Sequence, residues 1–424
     1  MKITVVGLGY IGLPTAILFA KYGNKVTGVD LSPVMTDNLN AGRIHIEEPG
    51  LEADLQDALA LNNFHASTTP VSADAYIIAV PTPNKNDEYK SCDTAYVESA
   101  LGSIVPLLKE NDTIIVESTI APRTMADVVQ PLIEKQGFTV GQDIFLAHCP
   151  ERVLPGNIMH ELIHNPRIIG GITEQCTEKA AAVYGEFVEG EIIKAQAGEA
   201  ELSKLMENTY RDLNIALANE LAKISNHLEI DALRVIEMAN KHPRVNLHQP
   251  GPGVGGHCLA VDPYFVIAAA PEQSPLMQTA RKVNNSMPEY VVENVKQIME
   301  QRDGNTVTLF GLTYKGNIDD IRESPGMEIK EMLVKEGFNV KSFDPHVVSA
   351  PLTGEEACED SSLIVVLSDH DEFRTIPTNY TDKMRSAIVF DTKNMVQNVG
   401  EQVVYANYGN LYKVTKDVAE YQFN

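Results

Sequence analysis

Val5-Val6-Gly7-Leu8-Gly9-Tyr10-Ile11-Gly12 decides the fold of this chain of 424 residues. Residues 3–6 are a β-branched strand run and 14–21 carry a helical pattern, so the glycines fall at a strand-to-helix turn. Gly7 permits the tight turn, Gly9 lets backbone approach a pyrophosphate, and Gly12 lets helix and strand pack closely. Tyr10 and Ile11 complete the turn, and the helix N-terminus behind them faces the anion. A second strand over 25–30 ends in Asp30, which is placed to accept from adenosine ribose hydroxyls. Leu31-Ser32-Pro33 follows with no arginine for a 2′-phosphate, so the fingerprint calls for NAD and not NADP.

Further out, apolar runs at 75–80, 113–117 and 145–147 alternate with helical stretches, as in a parallel, doubly wound sheet. Thr82, in Val80-Pro81-Thr82-Pro83, and Thr119, in Glu117-Ser118-Thr119-Ile120, follow two of these strands. Ligands bind at the carboxyl ends of such strands. Each threonine therefore either contacts the cofactor, holds a water, or simply caps the next helix.

From 198 to 228 the pattern changes. Leu202, Leu205, Thr209, Leu213, Ala216, Leu217, Leu221 and Ile224 recur at helical spacing, uninterrupted by Gly or Pro. That predicts one helix of about 30 residues, well beyond the usual length, of the kind that joins domains and supplies a dimer face. A homodimer or larger homo-oligomer is expected. Beyond it the opening motif returns as Leu309-Phe310-Gly311-Leu312-Thr313-Tyr314-Lys315-Gly316, and Gly337, Val340 and Asp344 echo Gly23, Val26 and Asp30. The second copy carries extra residues around 317–325, and apolar runs at 362–367 and 387–390 continue it. A Pro-containing break falls at 270–274. The expected architecture is α/β, with two Rossmann-like doubly wound parallel-sheet domains joined by a long central helix. The divisions are 1–195 for NAD, 196–300 for a central helical dimerisation region, and 301–424 for a second Rossmann-like domain.

A net charge of −24 argues against a nucleic-acid binder, which carries a basic excess or patch. Any anionic substrate needs its own local cations and N–H donors. The five cysteines are dispersed, odd in number and without a CxxC pair, so neither a disulfide framework nor a metal site is expected, and a reducing cytoplasm fits. The N-terminus reads as a strand, not a signal peptide. No apolar run reaches the roughly 18 residues of a membrane span.

One cysteine stands apart. Gly253-Val254-Gly255-Gly256-His257-Cys258 sets it at the end of a glycine-rich turn that also contains Gly251, with Asp262 after it. An isolated free cysteine is usually a small buried hydrophobe. A loop emptied of side chains instead lets a substrate reach the sulfur. A thiolate needs a cation nearby, and Lys204 and the oxidised nicotinamide ring are the candidates. Lys204 and Asn208 lie four apart on the long helix and share a face, as an ammonium and an amide able to bind an oxyanion. A solvated helix face is the plain alternative for that pair, and an ordinary loop carboxylate for Asp262.

At these residues the chain resembles the UDP-glucose/GDP-mannose dehydrogenase family. The fingerprint, Glu117-Ser118-Thr119, Cys149-Pro150-Glu151-Arg152, Lys204-Leu205-Met206-Glu207-Asn208, 253–262 and Gly311 through Ser324 carry the likeness in order. The resemblance implies NAD-dependent four-electron oxidation of a nucleotide sugar's C6 hydroxyl to a carboxylate, with the UDP-sugar held by the C-terminal domain. It implies that Cys258 captures the aldehyde as a thiohemiacetal, oxidised on to a thioester. Lys204 and Asn208 stabilise the C6 oxygen, Asp262, Thr119 and a water handle protons, and Glu151 stands near the sugar. It further implies Arg152, Val153, Arg211, Gly255, Lys315 and Lys393 against the substrate, Arg244 reaching a substrate across the dimer, and Arg322 approaching the cofactor.

Glucose-type members read Asn-Pro-Glu-Phe-Leu-Arg-Glu-Gly where this chain reads Cys149-Pro150-Glu151-Arg152-Val153-Leu154-Pro155-Gly156, so Pro155 replaces a second glutamate. This stretch and His242-Pro243-Arg244-Val245-Asn246 resemble the members acting on UDP-N-acetyl-D-mannosamine, which serve bacterial surface polysaccharide synthesis. UDP-N-acetyl-D-glucosamine and UDP-glucose are the alternatives. A two-electron alcohol dehydrogenase with Cys258 as mere packing, and a non-catalytic nucleotide-sugar sensor, are the rival classes.

Overall fold

The computed structural model describes all residues except 154, 155, 301, 398, 401 and 417–424. The chain forms two compact units, Met1–Glu207 with Tyr264–Pro271, and Asn208–Pro263 with Glu272–Asn424.

The first unit holds β1 (Lys2–Val6), β2 (Lys25–Val29), β3 (Phe64–Ser67), β4 (Ala75–Ile78), β5 (Thr113–Val116), β6 (Phe145–His148), β7 (Arg167–Gly171) and β8 (Ile192–Gln196). They form one sheet in the order β3-β2-β1-β4-β5-β6-β7-β8. The six strands from β3 to β6 pair in parallel, as the alternating strand and helix pattern predicts. β7 then joins β6 antiparallel, and β8 runs parallel to β7. The sheet is thus parallel with a reversed two-strand extension. Its central strands are buried on both faces, which is why they read as continuous apolar runs. Ile77 and Ile115 pack with the helix Gly12–Lys21 on one face, while Ile78, Ile114 and Val116 pack on the other.

The second unit holds β9 (Thr306–Phe310), β10 (Asn339–Phe343), β11 (Leu363–Val366), β12 (Ile388–Asp391) and β13 (Val404–Asn407), all parallel, in the order β10-β9-β11-β12-β13. The echo between the two fingerprints is structural. Gly7 sits at φ 95° and Gly311 at φ 94°. The Gly7 N–H donates to Val29 O at 2.8 Å, and the Gly311 N–H to Phe343 O at 2.9 Å.

The long helix is Ala197–Leu228, 32 residues, and the division between the units falls within it. Leu205, Ala216, Ala218 and Ala222 are buried, while Leu202, Met206, Tyr210, Leu217, Ile224 and Leu228 are exposed. The break expected at 270–274 contains a single 3-10 turn, Pro271–Gln273. Among the described residues no helix is long and apolar enough to cross a membrane.

Candidate active site

In the first unit the glycines do what their spacing predicts. A Cβ on Gly12 would lie 1.9 Å from Gly7 O, and one on Gly7 would lie 2.4 Å from Ala79 O, so both are required by the fold. A Cβ on Gly9 meets nothing within 4 Å, so nothing in the protein itself requires glycine there. The helix Gly12–Lys21 behind the turn has no side-chain cap and no acidic residue in its first turn. Its N-terminus is left to an anion. Tyr10 is exposed and Ile11 half-buried beside it. Asp30 closes β2, with Oδ2 accepting from the Leu8 N–H at 3.2 Å and Oδ1 from the Ser32 N–H at 3.0 Å. The carboxylate is half-buried and has lone pairs to spare for ribose hydroxyls. Its counterpart in the second sheet, Asp344, also accepts from a fingerprint N–H, that of Leu312 at 2.7 Å, but it is buried and paired to buried His370 at 3.2 Å. Of the two echoing carboxylates, only Asp30 is open to a ligand, and the first unit's residues fit a dinucleotide.

Along the carboxyl edge of the same sheet lie the other expected residues of this unit. Thr82 Oγ1 donates to Thr119 O at 2.5 Å, so Thr82 ties two loops together and does not cap a helix. Thr119 is half-buried. Glu151, Arg152 and Val153 are half-buried and, with Pro150 and Arg167, line a shallow cleft. Arg152 also donates to Glu207 at 2.8 Å. Lys204 is half-buried on the long helix. Leu154 and Pro155, which carry the departure from the glucose-type pattern, lie outside the described residues.

Arg167 is the residue the sequence reading missed. It opens β7, is buried, and donates to Glu117 Oε1 at 3.2 Å and Glu151 Oε2 at 3.1 Å. Its guanidinium stacks 4.5 Å from the centroid of the Tyr184 ring. Burial pushes the Glu117 carboxyl up to about 7, against the pull of Arg167. An arginine at the head of Ile168-Ile169-Gly170-Gly171 was the available signal, because a charge inside an apolar strand must be paired.

In the second unit, Cys258 is half-buried, whereas Cys92, Cys149, Cys176 and Cys358 are buried; all five are free thiols. The Cys258 carbonyl accepts the Asp262 N–H at 2.8 Å, opening the helix Asp262–Ala269. Asp262 is buried, and its Oδ2 accepts from Asn208 Nδ2 at 2.6 Å. The structure thereby unites three expected residues, one on the long helix and two on the cysteine turn. The glycines of that turn have a reason the sequence reading did not foresee. A Cβ on Gly255 would lie 2.4 Å from Glu323 O, and one on Gly256 would lie 2.7 Å from the Tyr314 ring. They are small because the turn packs against Tyr314 and the 317–325 insertion, and Gly256 also holds φ 83°. Arg322, expected toward the cofactor, forks onto Asp320 at 2.7 to 3.1 Å and reaches His257 at 3.3 Å, beside Cys258.

Lys315 follows β9 and is exposed; Lys393 follows β12 and lies 3.6 Å from Asp369. Both stand at carboxyl ends of parallel strands, where such sheets bind ligands. Arg211 on the long helix and Arg244 are exposed. Among the described residues one group has metal-like spacing, His346, His370 and Glu372. His370 Nδ1 accepts the Asn317 N–H at 2.8 Å and Nε2 faces Asp344, so both ring nitrogens are engaged in holding the loop.

Comparison with known proteins agrees with this geometry. Family models for the UDP-glucose/GDP-mannose dehydrogenase family match residues 1–188 (NAD binding domain), 198–286 (central domain) and 308–398 (UDP binding domain). The UDP-N-acetyl-D-mannosamine dehydrogenase of Methanococcus maripaludis is 44% identical over 408 residues, 94% of this chain and 93% of that protein. The NDP-N-acetyl-D-galactosaminuronic acid dehydrogenase of Ralstonia nicotianae is 44% identical over 409 residues, 93% of this chain and 96% of that protein. A solved structure of a UDP-N-acetyl-mannosamine dehydrogenase from S. aureus superposes with a TM-score of 0.92 at 58% identity, covering 98% of this chain and 100% of that one. The chain belongs to the UDP-glucose/GDP-mannose dehydrogenase family and is an NAD-dependent nucleotide-sugar dehydrogenase.

Proposed function

We propose that the chain oxidises UDP-N-acetyl-D-mannosamine at C6 to UDP-N-acetyl-D-mannosaminuronate, in two steps joined by a covalent link to Cys258. The observation that carries this is the one half-buried cysteine, set directly before a buried Asn208–Asp262 pair. The choice of sugar is supported by the relatives of that name at 44% and 58% identity. Bound NAD supplies the hydride acceptor, and four electrons require two molecules in turn.

C6 first loses a hydride and its hydroxyl a proton, giving the aldehyde. The Cys258 sulfur adds to the carbonyl carbon, forming a C–S bond and leaving the oxygen anionic or protonated. Loss of a second hydride gives the thioester. Water then attacks, the C–S bond breaks, the thiolate departs and the carboxylate remains. Each step builds or discharges charge on one oxygen, so a pre-placed ammonium (Lys204) and amide (Asn208) serve throughout. Asp262, held by Asn208, and Thr119 move protons to and from that oxygen and its water. Glu151 serves the hydrolysis, and covalent capture retains the reactive aldehyde.

In this reading residues 1–195 hold NAD through Gly7, Gly9, Tyr10, Ile11, Gly12, Asp30 and Thr82. Residues 301–424 hold the UDP-sugar through Lys315 and Lys393, with Arg152, Val153, Arg211, Arg244 and Gly255 completing its contacts. Arg322, set against Asp320 and His257, steadies the cysteine turn on the cofactor side. The apolar residues exposed along the long helix support a homodimer or larger homo-oligomer. A reducing compartment such as the cytoplasm keeps the thiol competent, and the product suits bacterial surface polysaccharide synthesis. The test is NADH formed per sugar across UDP-N-acetyl-D-mannosamine, the N-acetylglucosamine and N-acetylgalactosamine nucleotides and UDP-glucose. Two NADH per mannosamine nucleotide, with the others slower, is expected. One NADH would indicate a two-electron enzyme, and no turnover a binding protein.

A further inference from the structure

We propose that Arg167 is a positioning residue for the reaction: it holds the Glu151 carboxylate at the wall of the substrate cleft, with Glu117 as its counter-anchor. This rests on Glu151 taking part in turnover as read above. The geometry is a buried fork. One guanidinium nitrogen of Arg167 donates to Glu117 at 3.2 Å and the other to Glu151 at 3.1 Å. A third contact runs to Cys149 Sγ at 3.5 Å, and the Tyr184 ring floors the plane at 4.5 Å. Glu151 Oε1 meanwhile accepts the Arg152 N–H at 2.5 Å, so both carboxylate oxygens are fixed.

Two carboxylates share one cation here, an arrangement poorer for stability than one matched pair. Glu117 is the more enclosed of the two. Its Oε1 accepts from Tyr184 Oη at 2.7 Å and its Oε2 from Thr15 Oγ1 at 3.3 Å. Thr15 stands on the first helix, immediately behind the dinucleotide turn. A continuous hydrogen-bonded line therefore runs from the NAD-binding helix through Glu117 and Arg167 to the sugar wall. The titratable groups facing Glu117 are Arg167 from β7, Tyr184 from the helix Glu174–Tyr184, and Glu151 and Cys149 from the segment after β6. Burial pushes the Cys149 thiol up to about 12, and burial raises Tyr184 further, so neither ionises near neutrality. Glu117, at about 7, is the group that does. When it is protonated, Arg167 pairs with Glu151 alone. When it is ionised, the guanidinium is shared and the hold on Glu151 loosens.

The test uses the full-length protein with Glu117→Gln, Arg167→Lys and Glu151→Gln, following NADH release against pH from 5.5 to 8.5 (a range of about three units around neutrality). Wild type is expected to show an inflection of kcat near neutrality that Glu117→Gln lacks. Arg167→Lys keeps the charge but loses the fork, and is expected to lower kcat roughly tenfold to a hundredfold with the KM for NAD unchanged. If Glu117→Gln does not fold, Tyr184→Phe reads the same titration: loss of its hydrogen bond to the ionised carboxylate should move the inflection upward. Wild-type profiles and kcat in folded Glu117→Gln and Arg167→Lys, beside a slow Glu151→Gln, would overturn the positioning role alone. Full-rate acid formation by Glu151→Gln would overturn both this role and the reading of Glu151.

Discussion

Asn208 Nδ2 donates to Asp262 Oδ2 across 2.6 Å, and both side chains are buried, at 9% and 3% exposure. The bond ties the long helix to the turn that begins at Cys258, so the Asp262 carboxylate is held by an amide one helical turn beyond Lys204. Asn208→Ala removes that donor from a buried carboxylate, a loss of about 1 to 3 kcal/mol. It should lower both the melting temperature and kcat. Asn208→Asp sets two carboxylates at hydrogen-bond distance, where both cannot stay ionised, and should be slower than the alanine variant. Thermal unfolding and NADH kinetics on the pair check the order. An aspartate variant as fast as the alanine one would show that the amide has no electrostatic part.

Cys258→Ser keeps the shape of the turn and removes the proposed nucleophile. Acid formation should fall by roughly a thousandfold or more, while NAD affinity, measured by fluorescence or calorimetry, stays within about twofold, since the cradle of Gly7 to Gly12 lies in the other compact unit. Product analysis by chromatography after single turnover checks the loss of acid.

The glycines of the fingerprint separate fold from cofactor. Gly9→Ala meets nothing in the protein and should fold at wild-type stability, yet bind NAD at least about tenfold more weakly because the methyl intrudes on the pyrophosphate. Gly12→Ala drives a carbon to 1.9 Å from Gly7 O and should unfold or grossly destabilise the first unit. Circular dichroism beside NAD titration distinguishes them. A cofactor-competent Gly9→Ala would remove the assigned role of that turn.

Two buried groups give stability an opposed pH dependence. His148 Nδ1 lies 2.7 Å from Val116 O, an acceptor only, so Nδ1 carries the proton. Burial pushes this imidazole from its ordinary 6.5 down to about 4. A lowered base favours the folded state above 6.5, and that contribution fades as pH falls through 4, by roughly 3 kcal/mol. Glu117 runs the other way: raised from 4.5 to about 7, it favours the folded state below 4.5 and loses that contribution as pH rises through 7. Urea unfolding from about pH 4 to about pH 8 should show His148→Gln flattening the acid side and Glu117→Gln the neutral side. Unchanged slopes in either variant would contradict the sign assigned to that group.

How much of this was legible in sequence follows from what local pattern encodes. The two fingerprints, the echo of Asp30 by Asp344 and the long helix were readable, because glycine turns, β-branched runs and helical spacing are local signals. The echo proved literal, with both carboxylates accepting a fingerprint N–H. The closing of Asp344 by His370 was not readable, since the partners are 26 residues apart and meet only through the sheet. The reversed β7–β8 extension was not readable: β8 (Ile192–Gln196) is largely exposed at the sheet edge, and β7 (Arg167–Gly171), though buried, opens on a charge and closes on two glycines, unlike the apolar runs of β4 and β5. A charge at the head of an apolar run marked Arg167 as needing a partner, but not which one, because Glu117 and Glu151 converge on it from the segments after two other strands. The close packing of Gly255 and Gly256 on Tyr314 and Glu323 was not readable, because the two segments are distant in sequence.

The most direct test of the account is intact-mass and peptide analysis of the enzyme quenched during turnover of UDP-N-acetyl-D-mannosamine with NAD, using Glu151→Gln to slow hydrolysis. The account predicts a sugar-nucleotide mass attached to the peptide carrying Cys258, absent when NAD is omitted. Acid accumulating at an undiminished rate with that peptide unmodified at every quench time would contradict it.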